Sequence, residues 1–134
     1  MTWRHCHLVV GGLGLLLFVL QGQYMARAIG VMDLPDAERM MYRSAHIYLL
    51  LSSLFNVGVG YFMTPSFVLN YLHKFVGIVL LLSPALFLWS FISESTNVTL
   101  DRPIGRTGLY LLFGSGVLLL LSELYSRIKH RNRN

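Results

Sequence analysis

The residues best suited to chemistry open the second and fourth apolar segments of the chain. Arg39, Arg43 and His46 are spaced by four and three residues, so they share one side of a helix. Arg102 and Arg106 open the fourth segment, which should start on the same membrane face as the second. Cationic side chains beside two helix N-termini suit an anion. These five residues therefore predict a site for a lipid phosphate or a carboxylate.

Nearby acidic residues offer a simpler interpretation of the same arginines. Asp36, Glu38 and Asp101 lie in the same stretches of sequence, where they could form ion pairs with the arginines. Such pairs would hold the connecting loops at the membrane surface, and interfacial arginines are common anchors in membrane proteins. We favour anchoring over anion binding, and both interpretations stay open at this point.

Three further polar side chains fall within the apolar segments or at their ends. Asn56 lies inside the second segment, and we expect it to hydrogen-bond to another helix because a lone amide in hydrocarbon is costly. His73 and Glu123 should lie at the same membrane face, where ionisable groups could relay a proton or an ion. Arg127 follows Glu123 by four residues, so a salt bridge along the helix is the interpretation that we favour.

The histidines raise the question of a haem or a metal ion. His46 and His73 begin neighbouring antiparallel helices, so at a rise of about 1.5 Å per residue their depths should differ by more than about 10 Å. One haem cannot be ligated by both, and a second ligand would have to come from elsewhere. The triplet His5-Cys6-His7 is too short to specify a metal site. We therefore predict no cofactor and no metal, with haem as the less favoured alternative.

The stretch Arg43-Ser-Ala-His46 resembles a motif of the membrane-associated proteins of eicosanoid and glutathione metabolism, Arg-Ala-His-x-Asn-x-x-Glu. The resemblance would imply a four-helix membrane enzyme that uses His46 in thiol conjugation. Only the adjacent alanine and histidine match in register, because Ser44, Tyr48 and Leu51 stand where Arg, Asn and Glu belong. These departures remove the side chains that a glutathione site would need, so we do not assign the chain to this family.

The elements that must position these residues are four apolar segments, which occupy most of the 134-residue chain: 8–28, 45–63, 75–92 and 107–124. Each is close to the roughly 20 residues that a helix needs to cross a hydrocarbon core of about 30 Å. The chain is 54% hydrophobic and only 13% charged, with a mean hydropathy of +0.57, which excludes an ordinary soluble domain. We predict an all-α, antiparallel, up-down four-helix membrane bundle with short loops, forming one transmembrane domain over 1–134.

Small residues recur every seven positions along the last three segments and should mark the places where helices meet. In lipid, close approach of backbones at small residues supplies much of the helix association. The residues are Ser53 and Gly60 in the second segment, Gly77 and Pro84 in the third, and Gly108 and Ser115 in the fourth. Pro84 should also kink the third helix. The same stripes could instead mark an interface between subunits.

Basic residues indicate how the chain is oriented. The tail 125–134 is rich in Lys and Arg, which favours both termini in the cytoplasm of a bacterial inner membrane or plasma membrane. The tail should also attract anionic lipid. This membrane-flanking placement explains the pI near 9.7 without nucleic acid as a partner. A cleaved signal is the alternative for the first segment, with Ala26-Arg-Ala28 as the cleavage motif, although a retained helix fits better.

The sequence contains no nucleophile–base pair, metal-ligand set or phosphate-binding loop. We therefore expect a non-enzymatic accessory or structural subunit of a membrane assembly, or a bundle that self-associates. One alternative is a protein that binds or transports an anion or a lipid headgroup through the arginines around His46. A second alternative is a haem-dependent redox enzyme or a thiol-conjugating enzyme that depends on His46.

Overall fold

A computed structural model describes residues 2–62, 71–96 and 101–131, without the side chains of residues 123, 126, 127 and 129–131. Within these residues the chain forms four long helices: α1 (Trp3–Tyr24, continued by a π-helical turn, Met25–Ile29), α2 (Asp36–Phe62), α3 (Tyr71–Glu94) and α4 (Pro103–Arg131). All four are long and apolar enough to cross a membrane. The prediction of an all-α four-helix membrane bundle is confirmed.

Prolines set the start of two helices, so these helices extend beyond their apolar segments. α2 begins at Asp36, directly after Pro35, and the amide of Arg39 donates to the carbonyl of Pro35 at 2.9 Å. α4 begins at Pro103, a position where the missing N–H of proline costs nothing. The sequence also predicts that Thr64-Pro-Ser66 ends the second helix, and this stretch lies outside the described residues.

α1 ends through its π-helical turn and a glycine. Gly30 adopts a left-handed conformation with φ of 63°, which a side chain would strain. The amide of Val31 reaches back to the carbonyl of Met25 at 3.1 Å, and the amide of Asp33 donates to the carbonyl of Gly30 at 2.9 Å. This tight turn reverses the chain and allows α2 to pack antiparallel to α1.

The helices pack mainly in chain order, α1 on α2, α2 on α3 and α3 on α4. α3 is the most enclosed, since 44% of its span is buried against 22% for α1 and for α4. The central core joins α2, α3 and α4 through five fully buried side chains: Leu49, Val76, Leu80, Phe87 and Leu112. α1 and α4 therefore lie at the two sides of the bundle and expose most of their surface.

Small residues lie at the close approaches between helices. All six that the sequence singled out are buried: Ser53, Gly60, Gly77, Pro84, Gly108 and Ser115. A methyl group added at Gly60 would lie 2.9 Å from the backbone nitrogen of Leu8, and one at Gly108 would lie 2.9 Å from Leu86. Pro84 lies inside α3, which is helical on both sides of it. A kink at Pro84 stays a prediction.

Candidate functional site

The most deeply buried polar contact joins three helices. His7 of α1 and Asn56 of α2 are both fully buried, and the Nδ1 atom of His7 lies 2.7 Å from the Oδ1 atom of Asn56. Because Oδ1 only accepts, the ring nitrogen donates. The Nδ2 group of Asn56 donates to the carbonyls of Leu80, at 2.7 Å, and Ser52, at 2.9 Å. Asn56 thus makes the interhelical hydrogen bonds expected from the sequence, and both of its N–H groups are used.

Gly77 makes room for the imidazole of His7. A methyl group added at Gly77 would lie 3.4 Å from the Nε2 atom of His7, and Nε2 itself is buried with no hydrogen-bond partner among the described residues. His5, by contrast, is exposed. In the part of the chain that the structure describes, no group of three or more His, Cys, Asp or Glu side chains is placed to hold a metal ion.

His46 lies at a different depth, between α1 and α2. Its ring stacks on Phe18, with the ring centres 3.9 Å apart, and its Nδ1 atom is 3.2 Å from the Oε1 atom of Gln21. Gly22 lies against the edge of the same ring. His7 precedes Gln21 by 14 residues (21 − 7) on α1, so the two histidines differ in depth by about 20 Å. They cannot serve a common site.

His73 contacts α4 at the end of the bundle that holds the start of α1. Its Nε2 atom lies 2.8 Å from the hydroxyl of Ser122, which donates to the carbonyl of Leu119 at 2.8 Å. The side chains of Glu123 and Arg127 lie outside the described residues. The proposed relay through His73 and Glu123, and the salt bridge that we favour over it, therefore both stay predictions.

Two of the arginines in the predicted anion site are paired with nearby acids. Arg39 forms an ion pair with Asp36, one turn earlier on α2. Arg106 forms a looser pair with Asp101, at 3.7 Å. Both pairs are those that the anchoring interpretation requires.

The five residues of the predicted anion site do not converge on one point. His46 faces α1, as its contacts with Phe18 show. Arg43 is exposed, and its guanidinium contacts the sulfur of Met32 at 3.1 Å. Arg102 and Arg106 line a cavity of about 250 Å³ between α2 and α4, and the lining of this cavity does not include Arg39, Arg43 or His46.

Glu94, at the end of α3, is a residue that sequence analysis missed. Its side chain is only 5% exposed. One carboxylate oxygen accepts the amide of Ile104 at 2.6 Å, and the other accepts the amide of Gly105 at 2.9 Å and the hydroxyl of Ser90. Glu94 therefore caps the N-terminus of α4 from another helix, where a negative charge also complements the helix dipole.

Arg102 precedes α4, and its guanidinium group lies against α2. One terminal nitrogen donates to the hydroxyl of Ser44, and the guanidinium carbon lies 5.7 Å from the centre of the Tyr48 ring. The Nε and Nη2 atoms are buried and have no hydrogen-bond partner among the described residues. Burial lowers the pKa of Arg102, against the opposing effects of Tyr48 and Glu94. The side chain nevertheless stays charged at neutral pH.

Comparison of the chain with protein-family models, with curated proteins and with solved structures finds no match. The function must therefore be inferred from the four membrane helices and from the polar contacts between them.

Proposed function

We propose that this chain is a non-catalytic membrane bundle, either an accessory or structural subunit of a larger membrane assembly or a bundle that self-associates. The proposal rests on one observation: the buried polar side chains form hydrogen bonds between helices. Asn56 bonds to α1 and α3, and Glu94 of α3 bonds to α4. Polar side chains that could otherwise act in catalysis or ligand binding thus form the hydrogen bonds that hold the four helices together.

The outer faces of the bundle support the same proposal. Large apolar side chains on α1 and α4 are more than half exposed, among them Leu13, Leu16, Tyr110 and Leu120. In a membrane, lipid covers such faces, and helices of a partner can replace the lipid through packing alone. A subunit whose helices are joined internally by hydrogen bonds can bind a partner through these faces and keep its own fold.

We further propose a bacterial inner membrane or plasma membrane as the location, with both termini in the cytoplasm. Four spans place the two termini on one face, and the basic tail 125–134 favours the cytoplasmic side. In this orientation the tail lies beside anionic lipid, at a gain of about 1 kcal/mol for each basic residue near the surface. Reporter fusions after residue 134 and within 30–35 test the proposal, since the two should report opposite sides.

The experiment that tests the structural role is purification in mild detergent, followed by an absorption spectrum and native mass spectrometry. A variant with Arg43→Ala and His46→Ala is compared with the wild type, and Ile47→Ala serves as the control. A structural subunit should be colourless, and all three proteins should show the same oligomer or the same partner ratio. A Soret band or a bound small molecule that the double variant loses would overturn the proposal in favour of an enzyme.

A further inference from the structure

The cavity between α2 and α4 lies at the boundary of the membrane. It is lined by Tyr48, Asp101, Arg102, Arg106 and Tyr110, among others. Arg102 and Arg106 directly precede the apolar segment 107–124 of α4, whose length of about 27 Å at roughly 1.5 Å per residue is close to the thickness of a hydrocarbon core. Arg102 and Arg106 therefore lie where one face of the hydrocarbon ends, at the depth of lipid headgroups.

Among the described residues, the guanidinium of Arg102 has few hydrogen-bond acceptors. Ser44 accepts from one nitrogen, while Nε and Nη2 are buried and unbonded among the described residues. Glu94 is the nearby acid, but both of its oxygens already accept hydrogen bonds from Ser90 and from amides of α4. A buried cation without acceptors is costly. An anion that supplied acceptors would remove that cost.

Arg106 adds a second guanidinium that can change partners. Its ion pair with Asp101 is 3.7 Å long, and the two side chains are 62% and 63% exposed. Exposed pairs of this kind contribute at most about 1 kcal/mol. An incoming anion can therefore take the place of Asp101 at little cost.

We propose that this cavity binds a phosphate group through the guanidinium groups of Arg102 and Arg106. The planar guanidinium matches phosphate oxygens in pairs, and the ring of Tyr48 packs 5.7 Å from the guanidinium carbon of Arg102. Because Glu94 already occupies the amides at the start of α4, side chains and not the helix end hold the ligand. The depth of the cavity points to a phospholipid headgroup, although a soluble phosphate presents the same chemistry. This inference goes beyond the structural role proposed above.

The test measures lipid retention by the full chain. Delipidated protein is placed in nanodiscs that contain either phosphatidylglycerol or a phosphate-free galactosyl diacylglycerol with the same acyl chains. Bound lipid is then counted by native mass spectrometry. The wild type should retain phosphatidylglycerol, and Arg102→Ala and Arg106→Gln should each weaken retention about tenfold or more, as expected for loss of charge-assisted hydrogen bonds. Arg39→Ala, which removes an arginine outside the cavity, should retain lipid like the wild type.

Equal retention of the two lipids without stabilisation by inorganic phosphate, or retention that Arg106→Gln leaves unchanged, would overturn the proposal. Arg106 is exposed, so Arg106→Gln should fold and decide the question even if Arg102→Ala does not. Inorganic phosphate is titrated separately against the thermal unfolding of the detergent-solubilised protein. Stabilisation by phosphate that depends on Arg102 and Arg106, without a preference for phosphatidylglycerol, would assign the site to a soluble phosphate.

Discussion

Asn56 joins α1, α2 and α3 through its hydrogen bonds. Replacing it with leucine leaves the Nδ1 group of His7 without its partner. It also removes one of two side-chain donors to the carbonyl of Leu80, the other being the hydroxyl of Ser83. We expect Asn56→Leu to lower the free energy of unfolding by about 1–2 kcal/mol, because interhelical hydrogen bonds in membranes are individually modest. Reversible unfolding in mixed micelles of mild detergent and dodecyl sulfate measures the change.

Ser93→Ala provides a matched control for the asparagine variant. The hydroxyl of Ser93 is exposed and bonds only within its own helix, to the carbonyl of Trp89 at 2.8 Å. Its removal should change stability by less than about 0.5 kcal/mol. If Asn56→Leu proved as stable as Ser93→Ala, the hydrogen bonds of Asn56 would not be needed to hold the helices together.

The sequence predicts the structural role of some of these residues and not of others, for a physical reason. Asn56 stands out because an amide inside an apolar segment must find a partner on another helix. Glu94 does not stand out, because the amides that it binds lie 10 and 11 residues away on a different helix. His7 does not stand out either, because its contact with Asn56 spans 49 residues of sequence. Local spacing reveals the need for a partner but not its identity.

At the scale of the helix, the contact of α1 with α2 depends on one of two adjacent glycines. A methyl group added at Gly11 would lie 2.8 Å from the backbone nitrogen of Val57 and 2.9 Å from the backbone oxygen of Ser53, so the helices would have to separate. At Gly12 nothing lies within 4 Å. We expect Gly11→Ala to destabilise the protein by about 1–3 kcal/mol, as overpacking does.

Gly12→Ala is the control for that substitution. Alanine relieves the entropic cost of glycine in a helix, so Gly12→Ala should be neutral or stabilising by up to about 1 kcal/mol. Both variants are compared by thermal unfolding in the same detergent. Equal effects at positions 11 and 12 would mean that α1 packs on α2 through a different face. The run Gly11-Gly-Leu-Gly14 itself does not tell which glycine faces a neighbour.

The start of α4 depends on a carboxylate from α3. Glu94→Gln keeps the shape of the side chain but turns one acceptor oxygen into an NH₂ group, which would face an amide of Ile104 or Gly105. We expect a loss of about 1–2 kcal/mol, because a cap and a favourable charge at the helix dipole are both weakened. Hydrogen exchange at the amides of 104 and 105 should accelerate at the same time.

Asp36→Asn tests whether the effect is specific to Glu94. Asp36 also lies in a first helical turn, but its side chain is 85% exposed and its ion pair with Arg39 is at the surface. The change in stability should therefore stay within about 0.5 kcal/mol. A similar loss in both variants would indicate a general charge effect and not the capping of α4 by α3.

At the scale of the whole molecule, the sequence predicts the number of helices but not how each is rotated. The number follows from apolar length, which the membrane itself dictates. The predicted anion site required Arg39, Arg43 and His46 to face the same neighbour as Arg106. In the structure His46 packs on α1, whereas Arg106 lines a cavity between α2 and α4. Which neighbour lies on which side of α2 depends on contacts distant in sequence, so spacing alone could not place the site.

The fluorescence of the two tryptophans can test how the helices pack, because the two side chains lie in different surroundings. Trp3 packs near Gly77, its ring 3.5 Å from a methyl group added there, whereas Trp89 is 60% exposed on the lipid side of α3. The chain contains two tryptophans, so Trp3→Phe and Trp89→Phe each leave one emitter. In vesicles of lipid brominated near the headgroup end of the acyl chain, Trp89 should be quenched more strongly than Trp3. Unbrominated vesicles give the reference intensity, and stronger quenching of Trp3 would mean that α1 does not pack against α3.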